Sequence, residues 1–373
     1  MLRRIARRFR WAAEKAMPEA FTLTVLLSAA TLLLGLAVMR QTPMQMVEHW
    51  YGGFWDFLSF GMQMTLILVT GYGLAMAPPV KRGLSALAGL PRTPAAALTL
   101  TALVSAVACW ISWGFGLVIG PILAREVAKR VAVDYPLLVA TAYSAAICAL
   151  TMGLTITAPI LVATPGHFLE AEIGLIPQSE TIFGPTLVVT ALLALIGVIW
   201  AFRRMLPPAH EAIIVSAEEL ARLDAPERAP ETGPRRLAER LDHSRLLTWL
   251  LGAGGLALIV YWFATRGLDL NLNILNFAFL ILGVTLHGSL ARYADVFAGG
   301  VRAASGIILL FPFYAGIMGM MVGSGLVVTI AEWMVSVATP QTFGFICMLS
   351  AGVINIFVPS AGGQWALQGP VLV

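Results

Sequence analysis

The sequence predicts an all-helical protein that crosses a lipid bilayer many times. Of its 373 residues, 58% are hydrophobic and only 12% are charged, about half the charged fraction of a typical soluble domain. Uncharged runs such as Phe21–Met39 and Leu246–Thr265 each supply close to the ~20 apolar residues that a helix needs to cross the hydrocarbon core. With so little polar surface, the outside of the protein must contact lipid.

The apolar residues fall into separate segments, and we expect about nine or ten membrane segments, some of them re-entrant hairpins or broken helices. The three cysteines lie inside these segments without paired spacing, which favours buried structural thiols over a disulfide framework or a zinc site. The segments lie at about 20–39, 54–77, 95–124, 137–163, 183–202, 246–265, 271–287, 303–323, 326–338 and 343–358.

The charges of the connecting segments predict the orientation. Residues 1–19 form a basic amphipathic arm, and the segments 78–94 and 203–245 also carry clusters of lysine or arginine, so the positive-inside rule places all three in the cytoplasm. The segment 164–182 carries Glu170, Glu172 and Glu180 without lysine or arginine, which places it outside. The net charge of +4 is explained by these orientation signals and does not indicate nucleic-acid binding.

The long polar segment divides the chain into two membrane halves, as in many transporters. We therefore predict a first half at 20–202, a cytoplasmic linker at 203–245 and a second half at 246–373, which looks truncated at its C-terminus. Within the linker, Ser216 and Glu219 form a capping box that should begin a short helix.

The segment 95–124 creates a conflict that a hairpin resolves. A simple crossing from the cytoplasm would place Arg125, Lys129 and Arg130 outside, against the positive-inside rule. A re-entrant hairpin keeps them inside, and Trp113–Gly116 supplies the glycines for a turn at its tip. Broken backbone at membrane depth survives only where protein shields it or where it lines a cavity, so the hairpin also points to a site.

Several long motifs in this order resemble the short-chain fatty acid transporter family, over nearly the whole chain after the basic arm. The motifs are WGFGLVIG at 113–120 with LAREV at 123–127, ATPGHFLE at 163–170, SETIF at 179–183, TLHGS at 285–289, FPFYAGIMG at 311–319 and VPSAGGQW at 358–365 with QGP at 368–370. The resemblance implies a carrier for acetoacetate, butyrate or a similar small acid. After Ser144 this chain lacks a histidine-containing polar run of the family pattern, which bears on substrate identity.

A carboxylate substrate needs hydrogen-bond donors, and broken helices expose oriented backbone N–H groups at their N-termini. We predict one half of the substrate site at the proline-marked break that begins at Pro359, and the other half at the tip of the hairpin, facing it. Glycines there add no bulk and let a ligand approach the backbone. The predicted substrate-binding residues are Ser360, Gly362, Gly363, Gln364 and Gln368 in the first half, and Ser112, Trp113, Gly114 and Gly116 in the second.

Two further groups of polar residues leave alternatives open. Thr151, Thr155 and Thr157 lie around Gly153, and Pro159 follows them. Their hydroxyls either bond back to their own helix or bind substrate or Na⁺ in an unwound segment. Glu332 is the one carboxylate inside the run 327–337, and it either takes part in ion coupling or lies at the membrane interface beside Trp333.

These observations favour a secondary active transporter of small carboxylates, coupled to H⁺ or Na⁺ and located in the inner membrane as a multi-pass protein. Transport of a different small organic anion, a membrane channel and a membrane-embedded enzyme are the alternatives. The sequence contains no nucleophile–base pair, Walker loop or metal-ligand cluster, so we expect no enzyme activity and no cofactor other than possible Na⁺. Expected partners are the carboxylate and membrane lipid, with no nucleic acid, and the sequence is compatible with either a monomer or a homo-oligomer.

Overall fold

The computed structural model describes residues 18–216, 218–219, 237–267, 269–358 and 361–373. Every regular element in these residues is helical. In chain order the helices are α1 Ala20–Ala37, α2 Pro43–Gly53, α3 Leu58–Ala75, α4 Pro78–Leu87, α5 Pro94–Ile111, α6 Trp113–Ala128, α7 Tyr135–Leu150, α8 Thr157–Val162, α9 Glu170–Ile173, α10 Pro185–Arg204, α11 Leu237–Asp242, α12 Arg245–Arg266, α13 Leu272–His287, α14 Leu290–Gly323, α15 Leu326–Val337, α16 Phe343–Phe357 and α17 Ala361–Leu372, with a 3₁₀ turn at Gln178–Glu180.

The described helices confirm a polytopic membrane protein. Six candidate spans have the length and composition to cross a bilayer: α1, α3, α5, α10, α14 and the stretch Leu237–Arg266 that contains α12. Four shorter apolar helices accompany them, at α7, α13, α15 and α16. In the most apolar window of α10 only 6% of the residues are buried, and Leu193 and Ile196 are both 63% exposed. Apolar side chains displayed in this way require a lipid environment.

Two predicted segments begin or divide differently from the expectation. Helix α14 begins at Leu290, so the polar residues before 303 continue the helix. Its 34 residues extend over roughly 51 Å, longer than the ~30 Å hydrocarbon core, so one end must emerge into a polar environment. Arg302, the thirteenth residue of α14, is exposed. The segment 137–163 is divided into α7 and α8 by six residues without regular structure.

The chain forms two compact units, each built from separated parts of the sequence. Unit 1 comprises Met1–Thr65, Pro165–Leu175 and Ser305–Val373, and unit 2 comprises Leu66–Thr164 and Ile176–Ala304. The predicted division into two membrane halves at the 203–245 linker concerns the order of segments along the chain, and it stays a prediction.

The core of unit 2 is rich in small side chains. Ala97, Ala108, Leu123 and Ala124 are at most 4% exposed, and they pack in one cluster with residues of α4 and α7. Small residues allow membrane helices to approach closely. This close packing of α5, α6 and α7 positions the broken helices described below.

The capping box predicted in the linker is present. The Ser216 hydroxyl accepts a hydrogen bond from the Glu219 amide (3.2 Å), and the Glu219 carboxylate accepts one from the Ser216 amide (3.1 Å). The Ser216 amide and the Ser216 hydroxyl (2.9 Å) both donate to the Glu219 carboxylate, and these two bonds hold the pKa of Glu219 below its usual value. The helix predicted to follow through Leu223 and most of the basic arm lie outside the described residues.

Candidate functional site

The re-entrant course of the segment 95–124 in the membrane stays a prediction, but the segment does form a helical hairpin, and its tip is Ser112. This residue adopts an extended conformation (φ −156°, ψ 129°) that ends α5 and begins α6. The Gly116 amide donates to the Ser112 carbonyl (2.8 Å), which closes the first turn of α6. The chain reverses here, since Gly116 packs against Cys109 and Gly120 against Ser105. The expected tip at Trp113–Gly116 is therefore wrong by one residue: those four residues are already helical.

The glycines near the tip allow close contact between helices. A Cβ on Gly114 would lie 2.5 Å from the carbonyl oxygen of Ile67, and a Cβ on Gly116 would overlap the backbone of Cys109. Real Cβ atoms do not approach backbone this closely, because dispersion contacts are optimal near ~3.5–4.0 Å. The absence of a side chain at Gly114 and Gly116 thus serves helix packing, and their predicted contact with substrate stays a prediction.

A second interruption lies at residues 151–156, between α7 and α8. Thr151 is exposed, and its hydroxyl donates to the Cys148 carbonyl (2.9 Å), as a helix-terminal threonine commonly does. Thr155 behaves differently: it is 1% exposed, and its hydroxyl oxygen accepts a hydrogen bond from the Trp113 amide (3.0 Å). Thr157, 5% exposed, is the first residue of α8. The structure therefore brings Thr155 to the hairpin tip. This position agrees with the alternative in which Thr155 lies in an unwound segment.

Two further hydrogen bonds connect the interruptions. The Leu154 amide donates to the Trp110 carbonyl (2.7 Å), in the last turn of α5. The Gln178 side-chain amide donates to the Leu154 carbonyl (3.1 Å). Backbone groups freed by a broken helix must find partners within a membrane protein, and here each interruption supplies partners to the other.

Gln178 is the residue of this site that the sequence analysis missed. It is the first residue of the 3₁₀ turn. Just before this turn, the Ile176 amide donates to the Val162 carbonyl (2.9 Å), and this hydrogen bond holds the chain against the end of α8. Gln178 is only 7% exposed. In the sequence, Gln178 is a polar residue in an acidic loop, and such loops are usually exposed to solvent. Its position just before the SETIF motif was the only available signal.

The site retains polar groups without partners. The indole N–H of Trp113 and the side-chain oxygen of Gln178 are buried and make no hydrogen bond within the described residues. The Ser112 side chain does not cap the helix it precedes. An unpaired buried polar group costs about 1–3 kcal/mol, so each of these two open groups indicates a place for a polar ligand or water.

The break before α17 uses its glutamines internally. The Gln368 side-chain amide donates to the Ser350 hydroxyl (2.8 Å) and to the Cys347 carbonyl (3.3 Å). The Gln364 side-chain amide donates to the Ala351 carbonyl (3.1 Å). Its oxygen accepts from Asn355 (3.0 Å). These bonds fasten α16 to α17, and a substrate would have to replace some of them to reach the glutamines.

The glycines of this break are closely packed as well. Gly362 and Gly363 are buried in the first turn of α17. A Cβ on Gly363 would lie 2.6 Å from ring carbons of Tyr314 and 2.9 Å from Val358. The open space expected beside Gly363 is therefore wrong, because Tyr314 fills it. Pro359 and Ser360 lie outside the described residues, and the predicted opposition of the two breaks stays a prediction.

One cleft of unit 1 has the wrong charge for a carboxylate. It has a volume of about 710 Å³, and its polar lining consists of Glu48, His49, Asp56 and Glu172. Three carboxylates repel an anion, so this cleft is a poor substrate site. Glu332 is exposed on α15, and its predicted role in ion coupling stays a prediction.

Comparisons with known proteins bear on what such a site serves. The sequence model of a family described as "Short chain fatty acid transporter" matches residues 1–373. A protein of Escherichia coli (strain K12) named "Putative short-chain fatty acid transporter" is 38% identical over 377 residues, covering 100% of this chain and 84% of its own length. A protein of Haemophilus influenzae with the same name is 35% identical over 383 residues, covering 100% and 85%.

No solved structure matches this chain. The family match covers the whole chain, and both relatives match it from end to end at more than a third identity. The chain therefore belongs to the short-chain fatty acid transporter family.

Proposed function

We propose that this protein is a secondary active transporter that carries short-chain fatty acids or closely related small carboxylates across the inner membrane, coupled to H⁺ or Na⁺. The substrate class is supported by the family and by the names of its relatives. Transport instead of catalysis follows from the same membership. The inner membrane is supported by the positive-inside pattern of the basic segments.

The observation that carries the proposal is the unpaired indole N–H of Trp113 beside the broken backbone at Ser112. A carboxylate is an acceptor only, so it needs donors. The Trp113 indole and the Ser112 hydroxyl provide two donors without a buried cation, whose desolvation would be costly. The N-terminus of α6 also favours negative charge through its helix dipole. We therefore propose that the carboxylate binds at Ser112 and Trp113.

The test is uptake of radiolabelled butyrate and acetoacetate into proteoliposomes, with a pH gradient and a Na⁺ gradient imposed separately. We expect accumulation with at least one gradient. Trp113→Phe removes the N–H and keeps an aromatic ring. A hydrogen bond to a charged group contributes about 1.5–3 kcal/mol, so kcat/KM should fall by roughly 10-fold or more.

Trp249→Phe is the matched control, since Trp249 is 59% exposed on α12. This variant should transport like the unmodified protein. Failure to accumulate either acid under both gradients would refute carboxylate transport. Unchanged kcat/KM in Trp113→Phe, with transport otherwise intact, would move the carboxylate site elsewhere.

A further inference from the structure

We infer that the buried cluster of carbonyl oxygens beside Gly153 binds a Na⁺ ion, and that this ion is the coupling ion of transport. The inference rests on the proposed function for its role in coupling, although binding of the ion can be measured without any substrate. Gly153 lies in the interruption between α7 and α8 and is buried.

Three carbonyl oxygens converge on Gly153. The position where any other residue would carry its Cβ lies 3.1 Å from the carbonyl oxygen of Leu150, 3.2 Å from that of Cys109 and 3.4 Å from that of Trp110. The oxygens of Leu150 and Trp110 each accept one hydrogen bond, from Gly153 (2.9 Å) and Leu154 (2.7 Å). A carbonyl oxygen has two lone pairs, so both can also contact a ligand.

The carbonyls belong to the C-terminal ends of two long helices. Cys109 and Trp110 are in the last turn of α5, and Leu150 ends α7. The positive N-terminus of α6 lies on the other side of the Ser112 turn. Each helix C-terminus is equivalent to about −0.5 elementary charge, so the ends of α5 and α7 present a negative potential beside Gly153. That potential repels a carboxylate and attracts a cation. Unwound carbonyls and half-helix C-termini coordinate Na⁺ in this manner in secondary transporters.

An unpaired acceptor provides a second and independent indication. The side-chain oxygen of Gln178 is buried without a hydrogen-bond partner within the described residues, and the residue is 93% buried. Its amide nitrogen is fixed on the carbonyl of Leu154, the neighbour of Gly153. The oxygen of the same amide is therefore held close to the interruption. An acceptor kept buried and unpaired costs about 1–3 kcal/mol, and a cation would satisfy it.

The chemistry of these oxygens selects Na⁺ over a proton or a divalent ion. They are three carbonyl oxygens and one amide oxygen, all of them neutral. A transported proton needs a group that titrates, which none of these oxygens provides. Divalent ions such as Ca²⁺ are commonly held by carboxylates in proteins. Neutral oxygens under the potential of two helix ends suit a small monovalent cation.

The location explains how the ion could favour the carboxylate. Trp110 belongs to the proposed cation site and Trp113 to the proposed carboxylate site, and the two residues lie on either side of the same turn. The Trp110 carbonyl accepts a hydrogen bond from the Leu154 amide, and the Trp113 amide donates one to the Thr155 hydroxyl. Opposite charges at such close positions attract. Binding of either ligand must then strengthen binding of the other by the same factor.

The decisive experiment measures binding of ²²Na⁺ to the purified full-length protein in detergent, without substrate. We expect saturable binding that is lowered at least 10-fold by Gly153→Ala, because the new Cβ occupies the space between the carbonyls. Gln178→Leu should also weaken binding. Gly197→Ala is the matched control, since nothing lies within 4 Å of the position of its Cβ, and it should bind Na⁺ normally.

Thermal unfolding of each variant shows whether it is folded. If Gly153→Ala is not folded, Na⁺ binding by Gln178→Leu decides the test. Saturable binding that neither variant lowers, or no saturable binding, overturns the inference. Butyrate uptake driven by a pH gradient without Na⁺ binding would leave the proposed function intact and refute the Na⁺ site. Na⁺ binding sensitive to both variants, without uptake of any carboxylate, would refute the proposed function and retain the site.

Discussion

The hairpin should be destabilised by the smallest possible addition at Gly116. In Gly116→Ala the new Cβ would lie 2.5 Å from the Cβ of Cys109 and closer still to its backbone. Carbon atoms prefer a separation of ~3.5–4.0 Å, so the two arms of the hairpin would have to separate locally by about 1 Å. Backbone cannot rotate out of the way as a side chain can. Overpacking of this kind costs about 1–3 kcal/mol.

The helix propensity of alanine works in the opposite direction, by about 1 kcal/mol relative to glycine. Gly197→Ala gains the same propensity without a steric conflict, so it is the proper reference. The difference between the two variants should therefore equal the overpacking cost of about 1–3 kcal/mol. Unfolding in detergent micelles, followed by circular dichroism, gives both free energies. If Gly116→Ala is as stable as Gly197→Ala, the close approach of α5 and α6 is wrong.

Three further predictions concern the site and the topology. Thr155→Val removes the acceptor of the Trp113 amide and should cost about 1 kcal/mol of unfolding free energy, measured in the same assay; an unchanged value would contradict that bond. Gln368→Leu loses the bond to Ser350 and should destabilise by about 1–3 kcal/mol, whereas wild-type stability with impaired uptake would indicate a substrate role instead. Glu172→Cys should react with a membrane-impermeant thiol reagent from outside the cell, and labelling only from the cytoplasmic side would reverse the predicted orientation.

The general architecture could be predicted because it depends on composition and charge. Scarcity of charge identified the membrane protein, and the misplacement of Arg125 in a simple crossing revealed the hairpin. The exact turn residue could not be predicted, since a glycine pair such as Gly114 and Gly116 is compatible either with a turn or with close helix packing. Only the position of α3 and of Cys109 decides between these uses.

The site was predictable in part, for a related reason. Ser112 was predicted because a broken helix exposes backbone N–H groups, and Thr155 because Gly153 and Pro159 suggest an unwound segment. The structure joins the two places through the hydrogen bond from the Trp113 amide to Thr155. Gln178 was missed, because its burial depends on a chain return that leaves no periodic pattern in the sequence. Gln364 and Gln368 show the reverse difficulty: a buried amide suited to a carboxylate is equally suited to the carbonyls of a neighbouring helix.

The two interruptions of unit 2 depend on each other, and this restricts how the site can move. The Leu154 amide satisfies the Trp110 carbonyl, and the Thr155 hydroxyl satisfies the Trp113 amide. Separating the hairpin tip from the segment 151–156 would leave these buried groups unpaired, at about 1–3 kcal/mol each. The tip and the segment should therefore move as one body during transport. Any opening of the site then has to occur at a surface that these hydrogen bonds do not cross, so a bound carboxylate and a bound Na⁺ would be carried by the same moving part.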